Sequence, residues 1–286
     1  MQQERVTNSI YVFTSDLYAQ VTASVVITSQ GAVLVDTLLY PEETLQMRQF
    51  VQDRLGVPVK YVINTHHHAD HTLGTCLFEG AQVIAHRRCY DLLNTRGRDS
   101  LARMKTANNA EELQDVEVVL PNVLFDDRLT LDLGDKTLCL WHTPGHSADG
   151  IVCYVEDEQV LFGADIVMPI PYFVDGSYND FLISLEGLKD RAYETVVQGH
   201  GDVILKGEIE GKLQEDIAYL TKLRAAVDKA LQSSSNATKQ ERALEAIRIE
   251  ACGKNRVLLN GAVQQLHINN IHALAKQRRN ELLEAK

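Results

Sequence analysis

The stretch Val59-Lys60-Tyr61-Val62-Ile63-Asn64-Thr65-His66-His67-His68-Ala69-Asp70-His71 runs from a short apolar strand straight into histidines. Four of the chain's ten histidines fall within six residues there. On an extended segment, side chains at i and i+2 point to the same side. His66 and His68 can therefore converge on one ion. Asp70 and His71 follow where the chain must turn, and can reach a second ion. Imidazoles with one carboxylate suit zinc, iron or manganese rather than calcium.

Three later segments repeat this logic. Trp141-His142-Thr143-Pro144-Gly145-His146-Ser147 ends a strand in a Pro-Gly turn. Leu161-Phe162-Gly163-Ala164-Asp165 ends a strand in a carboxylate, and Val197-Gln198-Gly199-His200-Gly201 ends one in a histidine between glycines. Each sets a ligand-type side chain beside a glycine, where backbone can approach closely. One such segment is weak; four in one order are not a chance pattern.

The series His66-x-His68-x-Asp70-His71, then His146, Asp165 and His200, resembles the signature of the metallo-β-lactamase superfamily, over residues 10–206. The resemblance implies an α/β fold, an αββα sandwich of two mixed sheets with outer helices, with the metals at one edge. It implies two divalent metal ions, zinc first, with iron or manganese as alternatives. His66, His68 and His146 would bind one, Asp70, His71 and His200 the other, and Asp165 would bridge them. Asp36 matches a position the family uses to support the site. The activity implied is hydrolysis by a hydroxide held between two metals, with Asp70 orienting it.

The same resemblance narrows the branch. True β-lactamases generally lack the bridging carboxylate, so Asp165 is similar to the glyoxalase II, lactonase and phosphoesterase pattern. Quorum-sensing lactonases carry Tyr three residues after that Asp, where this chain has Met168. Nucleic-acid-processing members carry large insertions for which the segment from His146 to His200 has no room. Diiron flavoproteins have Glu where His68 stands, and an added flavodoxin domain. The expected substrate is a small ester, lactone or thioester. The rivals are β-lactamase-like or phosphodiester hydrolysis, a single-iron oxidoreductase like the persulfide dioxygenases, and a non-catalytic binding module.

Outward from the motifs, residues 10–13, 21–28, 32–38, 59–64 and 82–85 read as one set of strands, and 129–133, 137–143, 151–156, 159–162 and 195–198 as a second. Pro41 opens a helix to residue 55, ended by Gly56 and Pro58. Residues 181–191 read as helical. Residues 87–122 read as an insertion or lid. Its stretch Arg87, Arg88, Arg96, Arg98, Arg103 and Lys105 reads first as a solvated helix face, and second as an attractor for anions. Residues 1–206 form the expected catalytic domain. Residues 207–286 are a helical C-terminal extension, in which Thr238 caps a helix with Glu241 three residues on. The extension hints at a homodimer. Tyr172, Phe173 and Tyr178 after Asp165 are candidates for a substrate wall, or for core. His67 is expected to point away from the ligands; His86, His142, His267 and His272 are expected to be structural.

Composition fits an ordinary globular chain: 45% apolar, 23% charged. Such a chain buries a full core without staples, so a metal here serves chemistry. The net charge of −11 disfavours nucleic acid as a partner. A small molecule is the expected partner. The five cysteines include no Cys-x-x-Cys pair, and no secretory signal or run of ~18 apolar residues is visible. These features point to a reducing, cytoplasmic setting without membrane attachment.

Overall fold

The computed structural model describes residues 1–107 and 111–284. Part of the 87–122 insertion, residues 108–110, and the last two residues of the C-terminal extension lie outside the described residues.

Seven strands build the first sheet in chain order: β1 (Gln2–Arg5), β2 (Ile10–Thr14), β3 (Thr22–Thr28), β4 (Gly31–Val35), β5 (Val59–Ile63), β6 (Gln82–His86) and β7 (Val123–Phe125). Pairing is antiparallel from β1 to β4 and parallel from β4 to β7. The second sheet holds β8 (Arg128–Asp132), β9 (Thr137–His142), β10 (Ile151–Val155), β11 (Val160–Ala164), β12 (Thr195–Gln198) and β13 (Val203–Leu205), again in sequence order across the sheet. It is antiparallel except for the parallel pair β11–β12. Both sheets are therefore mixed, as expected.

Strand periodicity sorts the layers. In β4, Val33 and Val35 face the second sheet, packing with Leu138, Leu140, Ile151 and Phe162. Ala32 and Leu34 face the other way, against Met47 and Val51. Met47 belongs to α1 (Pro41–Gln49), which has Pro at its start and runs into a π-helical turn, Phe50–Arg54. A strand buried on both faces needs apolar residues throughout, which is how β4 and β10 read. The outer face of the second sheet, including Val152, Tyr154 and Leu161, is covered by helices in one continuous apolar cluster. The result is helix, sheet, sheet, helix.

A short helix, α2 (Ala69–Thr72), follows β5; the insertion holds α3 (Arg87–Leu92), a π-helical turn (Leu93–Gly97) and α4 (Arg98–Thr106). Leu101, Leu113 and Val116 anchor it against Leu39 and Leu73. The outer helices are α5 (Tyr178–Leu188), α6 (Lys206–Gln232), α7 (Ala237–Glu245) and α8 (Val263–Glu284). Leu213, Leu220, Val227 and Ile271 of the extension share the cluster of the second sheet, so the extension has no separate core. No helix among the described residues is long and apolar enough to cross a membrane.

Several boundaries differ from the sequence reading. The α5 helix starts three residues earlier than residue 181, because the Ser177 side chain caps it through the Asp180 N–H. The cap of α7 is Asn236, not Thr238: its side chain accepts from the Lys239 N–H. Glu241 pairs instead with His272 and Arg279. The strands β1, β7 and β13 went unread. The first is exposed throughout and the others are three residues each, too short for alternation to register.

Candidate metal centre

The strand ends of both sheets meet at one edge. The Ile151 N–H donates to the Thr65 carbonyl at 2.9 Å, and the Thr22 N–H to the Gly199 carbonyl at 2.9 Å. These bonds tie the β5 and β12 exits across the sandwich. The seven residues expected as ligands lie here. His66, His68, His146 and Asp165 form one group, and Asp70, His71 and His200 a second; within each, the ligand-type atoms lie within 4.8 Å of one another. Asp165 reaches both groups: Oδ2 is 3.2 Å from His146 Nε2 and 3.5 Å from His200 Nε2, and Oδ1 is 3.3 Å from His71 Nε2. Asp70 Oδ2 is 3.4 Å from His200 Nε2 and 3.7 Å from His71 Nε2.

Backbone conformation serves this convergence. Asp36, Ala19, Gln20 and Ala164, none of them glycine, all have positive φ, a strained region that clusters at functional sites. Gly199 is required for space: a Cβ there would lie 1.9 Å from Asp165 Oδ1.

Each ring is fixed from outside. His146 Nδ1 donates to the Tyr172 carbonyl at 2.7 Å, and His200 Nδ1 to the Ala19 carbonyl at 2.9 Å. A carbonyl only accepts, so the proton sits on Nδ1 in both. His71 Nδ1 lies 2.8 Å from Asp36 Oδ2. Asp36 also accepts from the Thr65 N–H and hydroxyl, at 2.8 and 2.7 Å. The Thr65 hydroxyl has one hydrogen, and Asp36 takes it. It must therefore accept from His66 Nδ1, 3.1 Å away. His68 Nε2 points to Asp175 Oδ2 at 3.3 Å, leaving its Nδ1 inward. The sequence reading gave Asp36 a supporting place, and the structure puts it behind His71 and Thr65.

The inward nitrogens are then lone pairs facing lone pairs. His68 Nδ1 lies 3.0 Å from His66 Nε2 and 2.9 Å from His146 Nε2. With every outer nitrogen carrying the proton, these contacts are repulsive unless a cation sits among them. His71 Nε2 and Asp165 Oδ1 are buried without any hydrogen-bond partner. Such orphans are rare in native interiors and call for an explanation. A divalent ion supplies it, and the donor set of imidazoles and carboxylates fits a first-row transition metal.

Titration follows the same pattern. Burial pushes His66 well below its ordinary value and His146 down to about 4. Burial also opposes charge on His71, but Asp165, Asp70 and Asp36 outweigh it and hold His71 well above the ordinary value. Asp165 is held well below the carboxylate range: His71, His200 and His146 overcome its burial. Opposite charges are thus drawn together wherever a cation is not there to balance the carboxylates.

Other expected residues lie elsewhere. Phe173 is fully buried and Tyr178 nearly so, in the core under α6, where the Tyr178 hydroxyl donates to the Leu220 carbonyl. They cannot form a substrate wall, because no face of either is open. Tyr172 lies beside the site, its ring 6.0 Å from that of His146. His67 is not idle: Nδ1 is 3.0 Å from buried Asp149, and Nε2 is 3.3 Å from Asp175. Burial works against its charge, but those two carboxylates raise it to about 9. His86 and His142 stack at 4.1 Å, and His267 sits between the Tyr219 hydroxyl and the Ile247 carbonyl.

Asp149 and Asp175 were missed. Tyr18 is 41% exposed on the loop before β3, and the charge of Asp70, then burial, pushes its hydroxyl up to about 12. A lone aspartate in a turn carries no signal of its own; only contact with the histidine cluster reveals it.

A family model described as "Metallo-beta-lactamase superfamily" matches residues 18–200, a span that contains every residue of the two groups. An acyl-coenzyme A thioesterase of Homo sapiens, MBLAC2, is 26% identical over 195 residues, 64% of this chain and 67% of that one. A metallo-beta-lactamase type 2 of Bacteroides fragilis is 27% identical over 188 residues, 62% of this chain and 68% of that one. Among solved structures, a metallo-beta-lactamase from Pontibacter korlensis superposes with a TM-score of 0.61 at 22% identity, over 74% of this chain and 97% of that one. That likeness is one of fold.

Proposed function

The chain belongs to the metallo-beta-lactamase superfamily and is a hydrolase of it; from that premise we propose that it cleaves small thioesters, with esters and lactones in the same class, using two divalent ions, zinc first. The observation that carries this reading is the position of Asp165, within 3.5 Å of histidines of both groups. A carboxylate so placed suits a shared pair of cations better than a single one. A thioester fits because a thioesterase is among the relatives, and a thiolate is a good leaving group that needs little help from an acid.

Bound there, the ions supply Lewis acidity, polarising a carbonyl and making water a nucleophile at neutral pH. The protein does the rest. Thr65, Asp36, Tyr172 and Ala19 hold the rings in register, so no reorganisation is needed during reaction. The Asp70 carboxylate, 16% exposed at the mouth, orients the attacking water and takes its proton. A C–O bond forms, the C–S bond breaks, and that proton leaves with the thiol. His68, 27% exposed, is the most open of the expected ligands of the first ion and marks the side from which substrate enters. The five cysteines are all unpaired, which suits a reducing compartment.

A panel of one thioester, ester, lactone, lactam and phosphodiester on metal-replete enzyme tests this, with Asp70→Ala as control. Thioester turnover above the others, lost in the variant, is the expected result. Turnover of the lactam or the phosphodiester alone would overturn the substrate assignment.

A further inference from the structure

Residues 87–105 carry six basic side chains against Asp91 and Asp99, in a chain of net charge −11. The fold lays this stretch along the mouth of the metal centre. An Arg88 Nη donates to the Ala148 carbonyl at 3.3 Å, next to Asp149. An Arg96 Nη lies 2.6 Å from Asp175 Oδ1, the carboxylate whose other oxygen holds His68. Between the insertion and His67–Ala69 is an open cleft of about 260 Å³, lined by His68, Arg96, Asp99, Ser100, Arg103 and Asp175 among others.

The two arginines differ. Arg96 is committed to Asp175. Arg103 is exposed and makes no ion pair among the described residues, Asp99 included. A guanidinium offers five donors in a planar fork matched to carboxylate or phosphate. Its cleft is contiguous with His68. A ligand whose reacting carbonyl sits at the metal centre can therefore extend an anionic group into the cleft that Arg103 lines. The surplus of basic side chains along residues 87–105 favours an anion here, against Asp99 and Asp175 in the lining and a chain that as a whole repels anions.

We infer that the cleft at Arg103 is an anion subsite, selecting thioesters that carry a carboxylate or phosphate on the acyl or the thiol side of the reacting bond. This rests on the thioester reading, and the test separates the two. The probes are thioethers that resist hydrolysis: S-hexyl-N-acetylcysteamine, neutral; S-hexyl-coenzyme A, anionic on the thiol side; and S-(5-carboxypentyl)-N-acetylcysteamine, anionic on the acyl side. Dissociation constants are measured by calorimetry on metal-loaded wild type, Arg103→Gln and Arg103→Lys. Arg103 is the residue to change, since replacing Arg96 would also release Asp175 from its place behind His68.

The expected result is one anionic thioether bound about tenfold tighter than the neutral one, as a charge-assisted contact gives. That preference falls away in Arg103→Gln, is partly kept in Arg103→Lys, which retains the charge without the fork, and shrinks as salt is raised. Which thioether wins tells on which side the anion sits. Equal binding of all three, or a preference unchanged in Arg103→Gln, overturns the inference. Thioester hydrolysis without the preference leaves the proposed function standing and sinks the subsite. The preference without thioester hydrolysis does the reverse.

Discussion

Two of the polar clusters buried among the described residues are built on opposite principles. In the extension, Asp216 is fully buried between two lysines. Lys254 Nζ lies 2.6 Å from Asp216 Oδ1, and Lys212 Nζ pairs with Oδ2 while also donating to the Met168 carbonyl. Ammonium donors meet carboxylate acceptors there, the two lysines facing Asp216 and, 3.9 Å from Lys254 Nζ, Glu215. At the sheet edge, by contrast, acceptors meet acceptors: His68 Nδ1 faces His66 Nε2 at 3.0 Å and His146 Nε2 at 2.9 Å. A buried cluster that balances itself holds structure. One left unbalanced is shaped for a guest.

Removing pieces of each should break the comparison if it is wrong. The largest effect belongs to the unbalanced cluster. Asp165→Asn or His146→Ala should cut turnover by about 10³-fold or more, ~4 kcal/mol of barrier, while melting temperature stays close to wild type. Steady-state kinetics beside calorimetric melting would show it; a variant that melts early but turns over normally when folded would reverse the assignment. Chelation should do the same to the wild-type protein, ending activity with the circular dichroism of a folded chain. Asp216→Ala is the mirror experiment. Two lysines would be left buried without their counter-ion, at a cost of about 3–5 kcal/mol, read by denaturant unfolding. Activity per folded molecule should persist.

Smaller changes sharpen the contrast. Asp175→Asn should weaken metal binding by about 10–100-fold, since Asp175 orients His68 and His67 from behind. Titration with a fluorescent zinc competitor would measure it, and unchanged affinity would leave Asp175 without that part. Asn236→Ala, in neither cluster, should cost about 0.5–2 kcal/mol of stability through the lost cap and leave turnover alone.

The two sheets were unequally legible. The first contributes its ligand-type residues in one run, His66 to His71, where i and i+2 spacing on a strand end already implies convergence. The second contributes His146, Asp165 and His200 one at a time, each at the end of a different strand. Those became readable only as a recurring pattern. Strands such as β4 and β10 were plain because they are apolar throughout. The polar edge strand β1 was not, since nothing in Gln2–Arg5 distinguishes a paired strand from a tail. The aromatic run after Asp165 stayed open between wall and core for a related reason: whether Phe173 and Tyr178 face a substrate or the inside of α6 depends on how the extension packs. Asp149 and Asp175 were unreadable because their partners lie 82 and 107 residues away.

The hydrogen bonds from Ile151 to Thr65 and from Thr22 to Gly199 make the metal centre a joint between two bodies. Such a joint works like a caliper: its opening is set by what lies between the jaws. The jaws here are kept apart by the sheet-to-sheet core, Leu140 and Phe162 facing Val33 and Val35. A slide of 1 Å between sheets is enough to cost a site of this kind about 10²-fold. Residues deep in that core, with no polar atom and no view of the ions, are thus part of how the enzyme measures its substrate.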